Sequence, residues 1–287
     1  MLRLELETRH KALLTPKELM QMIATKTPPT IIAVQSVNPY TGTTSRNGMW
    51  IPGATDADAY ADFASPGTAA AGQRPLPDVD ELQDKARRWG LKKNRTIVLY
   101  DPKRAMTAAR AWWVLKWAGL QDVRVLDGGL DAWIKAGGKT ADHSANSEKS
   151  DIVLTSGGMP ELDADAALAL APKGGLLDAR IRPNYIGGVE TNGDPRRGHI
   201  PGARSAPAPD NFMDEGGFTD SATLAEMYRG VGVTGDTSVG VYCGAGMSAA
   251  VTVLALASIG IEAAMYPGSW SQWIGDPERP VKRGPFP

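Results

Sequence analysis

Short apolar runs rich in β-branched residues recur along this chain: TIIAV from Thr30, TIVLY from Thr96, GLLDA from Gly175 and TSVGVY from Thr237. Each is too brief for a helix, and longer amphipathic or wholly apolar stretches lie between them, so the pattern predicts βα alternation. Strands joined by helical crossovers build a mostly parallel sheet covered on both faces, and the expected fold class is α/β. TPKELMQMI predicts a first helix, with Thr15 as its cap and Pro16 at its first position, and TDSATLAEMYRGVGV predicts a corresponding helix in the second half. The stretch SPGTAAAGQRPLPD, within residues 64–78, reads as an exposed loop.

The pattern occurs twice. TIVLYDPKRAMTAARAWWVLKWAGLQDVRVLDGGLDAW and TSVGVYCGAGMSAAVTVLALASIGIEAAMYPGSWSQW both read strand, short polar loop, helix, short strand, Gly turn and Trp. Tyr100 and Tyr242 stand 142 positions apart, Met106 and Met247 141, and Trp133 and Trp273 140, so the register slips by only two residues. Earlier in each copy lie WIPGA (Trp50 to Ala54) and HIPGA (His199 to Ala203). A repeat on this scale predicts two copies of one α/β unit, each a mostly parallel central sheet flanked by helices. They are placed at residues 1–140 and 155–287, with the polar stretch 141–154 as linker. Trp112, Trp113 and Trp117 sit at helical spacing and are expected in the core.

Composition narrows the choice of partners. With 31 basic and 32 acidic residues in no long single-sign run, nothing favours nucleic acid or an anionic membrane surface, and small molecules remain. No apolar run reaches the roughly 18 residues that span a bilayer. The N-terminal MLRLELETRHKALL carries acids inside its apolar pattern, unlike a secretory signal, so the cytoplasm is the expected compartment. One cysteine, Cys243, rules out an internal disulfide, and with His10, His143 and His199 widely scattered no protein-bound metal is expected.

The lone cysteine falls in YCGAGMSAA, between a strand-like run and a long apolar helix. In parallel α/β sheets ligands collect beyond the carboxyl ends of the strands, where helix N-termini offer unpaired N–H groups and a partial positive charge. A thiolate is an anion that such a place stabilises. Gly244 and Gly246 alternate through the loop and can turn successive N–H groups inward as an anion nest, while Ser248 can cap the following helix or bond a loop carbonyl. The alternative is structural: unpaired cysteines are among the most buried residue types, and Cys243 can be a small apolar residue in a Gly-rich turn.

These motifs together resemble the tandem-domain rhodanese-like sulfurtransferases. The resemblance rests on Cys-Gly-Ala-Gly-Met-Ser from Cys243, the paired IPGA segments, LLDAR from Leu176 to Arg180, and the closing Gly-Ser-Trp-x-x-Trp, in family order over both halves. It implies that the second domain is catalytic and that the first is a silent copy, with Asp101 in place of the nucleophile. It further implies a Cys243 persulfide, formed from thiosulfate or 3-mercaptopyruvate and consumed by cyanide or a thiol, a thioredoxin-like protein among the possible acceptors. The amides of Gly244, Ala245, Gly246, Met247 and Ser248 would hold the anionic sulfur, and no metal or organic cofactor is required.

Donor choice is left open by the resemblance. Thiosulfate-type members carry basic residues directly after the cysteine, where this chain has Gly244 and Ala245. Mercaptopyruvate-type members pair a loop serine with a histidine of the first IPGA motif, where Ala245 and Trp50 stand here. Arg180, Arg182, Arg196 and Arg197 are candidate anion-binding cations, although Arg180 with Asp178 can equally brace the loop. His199 matches a structural turn of relatives on the far side from the cysteine. A non-turnover sulfur carrier or partner-binding module is the alternative function, and a cysteine phosphatase of the related fold lacks its phosphate-binding arginine, which here is Ala249.

Overall fold

The computed structural model describes residues 7–36, 48–188 and 197–287. The chain divides into two units: Met1–Ser65, Leu76–Met159 and Phe212–Phe218 form the first, and Pro66–Pro75, Pro160–Asn211 and Thr219–Pro287 form the second.

In the first unit the elements run β1 (Leu13–Leu14), α1 (Pro16–Ile23), β2 (Thr30–Gln35), β3 (Thr55–Asp58), α2 (Val79–Arg88), β4 (Ile97–Tyr100), α3 (Met106–Trp117), β5 (Val123–Leu126) and α4 (Gly129–Lys135). The strands pair in the order β1-β5-β4-β2-β3, all parallel. Helix α1 starts as its sequence predicts: the Thr15 hydroxyl accepts the Glu18 N–H, and the Glu18 carboxylate accepts the Thr15 N–H, a reciprocal cap. Helix α3 is buried on nearly every face, Trp112, Trp113 and Trp117 included, which is why its sequence lacks a polar stripe.

The second unit repeats the plan with α5 (Ala164–Leu170), β6 (Leu176–Asp178), α6 (Arg182–Ile186), β7 (Arg204–Ser205), α7 (Ser221–Gly230), β8 (Val239–Tyr242), α8 (Met247–Ser258), β9 (Ala263–Met265) and α9 (Ser269–Trp273). Its parallel strands run β7-β6-β8-β9, the order of β3-β2-β4-β5 in the first unit. The edge strand β1 has its counterpart in a single parallel bridge between Glu161 and Met265.

Small details are duplicated as well. The Ile51 N–H donates to the Tyr100 hydroxyl at 3.0 Å, and the Ile200 N–H donates to the Tyr242 hydroxyl at 3.1 Å, so each IPGA turn is tied to the end of a central strand. The indole N–H of Trp133 donates to the Lys139 carbonyl and that of Trp273 to the Pro280 carbonyl, closing each unit after its last helix. The two IPGA segments and the two final tryptophans thus do the same structural work twice.

Each unit also holds one short segment from the other half of the sequence. In the first unit the Phe218 N–H donates to Asp127, whose carboxylate also pairs with Arg9. In the second, the Gln73 N–H donates to the Ser271 hydroxyl and the Gln272 amide donates to the Ala70 carbonyl, each at 2.9 Å. The expectation of an exposed loop at residues 64–78 therefore needs correction. Residues 66–70 are exposed, but Gly72 is buried, because the segment around it is pinned against α9. The polar stretch after Gly138 is strapped to the first unit: Trp50 and Ala141 exchange backbone hydrogen bonds, and Ile152 and Leu154 are buried.

Candidate active site

Strand β8 is wholly buried and ends at Tyr242, so the chain leaves the carboxyl edge of the sheet at Cys243 and re-enters a helix at Met247. The turn closes through Gly246, at φ +78°, which is the N-cap of α8 and offers no side chain to it. Positive φ costs glycine nothing, and here it aims the Gly246 N–H back at the Cys243 Sγ, which accepts it at 3.1 Å. The sulfur thus faces a backbone donor at the positive end of a twelve-residue helix.

Two details of the loop differ from the sequence reading. Gly246 is at positive φ and Gly244 is not, so one glycine of the pair makes the reversal. Ser248 does not cap the helix, because the chain enters α8 two residues earlier. Both follow from the shortness of the turn, which leaves room for one reversal only.

Cys243 itself is 2% exposed, as the structural alternative expects of an unpaired cysteine. The loop is nonetheless open beside it: Gly244 is only half-buried, and a side chain built there would meet no atom within 4 Å. The thiol is sheltered, faces an amide and lies one residue from open space.

The backbone of Cys243 is fixed from the closing turn. Its N–H donates to the Ser269 hydroxyl at 3.2 Å, its carbonyl accepts the Trp270 N–H at 2.9 Å, and the next carbonyl, of Gly244, accepts the Ser271 N–H at 2.9 Å. Ser269 adopts φ +52°, a conformation that costs a non-glycine residue about 1–3 kcal/mol. Nothing in the Gly-Ser-Trp motif taken alone marks the serine for this task; the signal lies in the repeat, where the first copy places Gly129 at the same position.

Arg180 and Asp178 form a buried pair. The Nε and Nη2 of Arg180 donate to the Asp178 carboxylate, and Nη2 also donates to the Gly198 carbonyl at 2.7 Å. The guanidinium lies 4.3 Å from the Trp270 ring centre and 5.7 Å from that of Tyr242. With its donors turned to Asp178 and Gly198 and its face on Trp270, Arg180 braces β6, the HIPGA segment and α9. Burial opposes its charge, but the Asp178 carboxylate more than compensates and holds the guanidinium protonated. Arg182 opens α6 and is exposed, Arg197 is half-buried just before HIPGA, and Arg196 lies outside the described residues.

His199 is fully buried, its ring stacked 3.8 Å from that of Tyr185, with Nδ1 at 2.9 Å from the Tyr185 carbonyl. Burial lowers its pKa, so it sits as a neutral ring in the HIPGA turn. Among the described residues, no helix is long and apolar enough to cross a membrane.

Fold and site define a duplicated parallel α/β protein with a single thiol at the strand-to-helix turn of its second copy. The chain belongs to the rhodanese-like domain family, whose pattern matches residues 15–136 and again 163–276. It is 37% identical over 286 residues to the "Putative thiosulfate sulfurtransferase SseB" of Mycobacterium tuberculosis, covering 97% of this chain and 99% of that protein. It is 40% identical over 245 residues to the "Probable 3-mercaptopyruvate sulfurtransferase" of Pseudomonas aeruginosa, covering 82% and 84%. Among solved structures, an anaerobic ergothioneine biosynthesis enzyme from Chlorobium limicola shares the fold, with TM-score 0.82 and 22% identity over 96% of this chain and 70% of that one.

Proposed function

We propose that this protein is a sulfurtransferase that carries sulfane sulfur as a persulfide on Cys243, with residues 155–287 as the catalytic domain, 1–140 as a silent copy and 141–154 as their linker. The carrying observation is the Gly246 N–H donating to the Cys243 Sγ at the head of α8, beside open space at Gly244. A thiolate so placed attacks the outer sulfur of a small anionic donor, forming a new S–S bond on Cys243. With thiosulfate the leaving group is sulfite; with 3-mercaptopyruvate the C–S bond breaks and the carbon takes a proton to give pyruvate. An acceptor then attacks the terminal sulfur, giving thiocyanate from cyanide or a persulfide from a thiol, and the Cys243 thiolate returns.

The backbone from Gly244 through Ala245, Gly246 and Met247 to Ser248 supplies the surroundings for the anionic sulfur in both half-reactions, as an oxyanion hole does for oxygen. Asp178 and Arg180 keep the loop in place, and Arg182, Arg196 and Arg197 supply cationic charge for the donor. A thioredoxin-like protein is a fitting thiol acceptor, and a lone reduced cysteine suits the cytoplasm. The names of the relatives divide between thiosulfate and 3-mercaptopyruvate, and Gly244 and Ala245 bring neither a cation nor a hydroxyl.

The test is a thiocyanate assay with each donor in turn, paired with intact-mass measurement. Cys243 is expected to gain one sulfur atom from at least one donor, and cyanide is expected to remove it over many cycles. Cys243→Ser is expected to lose turnover by roughly 10⁴-fold or more while keeping its melting temperature. A parental rate in that variant, or no added sulfur from either donor, rejects the reading. Loading followed by a single release favours a carrier, which the burial of the thiol would suit.

A further inference from the structure

The closing turns of the two units differ at one telling position. In the second unit it is Ser269 at φ +52°, and in the first, 140 positions earlier, it is Gly129 at φ +62°. This is a glycine conformation, and a residue with a side chain persists in it only where its surroundings over-determine it. The first unit has no space for more: a Cβ on Gly129 would lie 2.3 Å from the Asp101 carbonyl oxygen. The second unit has made the space and filled it with a hydroxyl.

That hydroxyl has two partners, both main-chain. It accepts the Cys243 N–H at 3.2 Å and donates to the Tyr266 carbonyl at 2.9 Å, and the residue is fully buried. The neighbouring Trp270 N–H takes the Cys243 carbonyl, so one strained turn grips both backbone groups of the thiol-bearing residue. In the first unit the matching turn grips Asp101 by its carbonyl through the Leu130 N–H, and Gly129 brings no hydroxyl to its amide. Strain is therefore carried where the hydroxyl meets Cys243 and is absent where the copy holds an aspartate.

We propose that Ser269 is a positioning residue for sulfur transfer: its hydroxyl fixes the Cys243 backbone so that the sulfur stays aimed at the Gly246 N–H. It touches neither sulfur nor donor. The inference rests on the sulfur-transfer reading, but one of its measurements needs no sulfur donor.

Ser269→Gly adopts the residue of the first unit, removes the hydroxyl and relieves the strain; Ser269→Ala removes the hydroxyl and keeps the strain. Both are expected to lower kcat for thiocyanate formation about tenfold with KM within twofold, since misplacing a reacting group costs rate rather than donor affinity. Both are also expected to slow alkylation of Cys243 by iodoacetamide at fixed pH several-fold, while Ser269→Gly melts no lower than the parent. Should Ser269→Ala fail to fold, Ser269→Gly decides alone. A Ser269→Gly protein with the parental alkylation rate, or with a loss confined to KM, overturns the proposal. If the parent transfers no sulfur at all, the proposed function fails, and the alkylation rates still score the role of Ser269.

Discussion

Asp101 and Cys243 stand at the same point of the same fold, one residue past a central strand that ends in tyrosine, yet their loops treat negative charge in opposite ways. The Asp101 carboxylate is swallowed by its own loop: Oδ1 accepts the N–H groups of Lys103 and Ala105, and Oδ2 accepts those of Thr107 and Ala108 and the Thr107 hydroxyl, at 3.0–3.3 Å. Burial pushes its pKa up, and the donors of Ala108, Thr107 and Ala105 pull it back. The Cys243 loop is one residue shorter before its helix and offers the sulfur the Gly246 N–H. The shared scaffold gathers donors at this turn in both units. In the first the Asp101 carboxylate satisfies them; in the second the acceptor is the Cys243 sulfur, a weaker one.

A second contrast lies beside the first. Pairing of β2 with β4 and of β6 with β8 places Ala33 and Gln35 where the second unit has Asp178 and Arg180. The first unit therefore braces its loop with the internal carboxylate, and the second braces from outside with a buried ion pair. Removing each brace tests the division of labour. Arg180→Met is expected to cost most, about 3–5 kcal/mol, because it strands the Asp178 carboxylate in the interior. Urea unfolding measures it, and the double variant with Asp178→Asn should recover much of the loss.

Asp101→Ala is expected to cost about 3 kcal/mol, since it leaves buried N–H groups without an acceptor, and to leave thiocyanate formation at the parental rate at temperatures where the protein is folded. A neutral Asp101→Ala would mean that the loop holds its shape without an anion. Smaller is the expected effect of Tyr100→Phe and of Tyr242→Phe, about 1 kcal/mol each, from loss of the hydroxyl that accepts the N–H of Ile51 or Ile200. Equal losses would show the duplicated turns to be energetically equivalent, whereas a larger loss at Tyr242 would tie it to the Arg180 brace.

Least in size is a pH effect confined to the HIPGA turn. Burial holds the folded-state pKa of His199 below its ordinary value, so as pH falls through about 6.5 the unfolded chain takes up a proton that the folded protein resists. Stability contributed by the neutral ring is thus present above that pH and is lost on acidification. Melting temperatures at pH 7.5 and 5.5 should differ more in the parent than in His199→Gln.

Much of this architecture is readable along the chain. Both βα series, the capped helix after Thr15, the buried tryptophans of α3 and the placement of Cys243 between β8 and α8 follow from patterns local enough for periodicity and capping to carry them. The readings that needed correction concern closure in three dimensions. Gly246 turns while Gly244 does not, because the chain reverses once between strand and helix, and sequence shows two equivalent glycines. Ser248 looks like a cap and sits inside the helix, because Gly246 already occupies that position. The Gly- and Ala-rich stretch at 64–78 looks solvated and is partly buried, because its partner Ser271 lies 198 positions away.

The sequence by itself determined that there are two parallel α/β copies, where their strands and helices fall, and that one thiol stands at a helix start, because each of these is written in residues close together in the chain. Tertiary structure decided which atoms that thiol meets. The Ser269 hydroxyl, the Trp270 amide and the Arg180 brace reach the Cys243 loop from residues 26, 27 and 63 positions away. No periodicity links such residues; only the parallel pairing of β6, β8 and β9 brings their ends to one edge of the sheet.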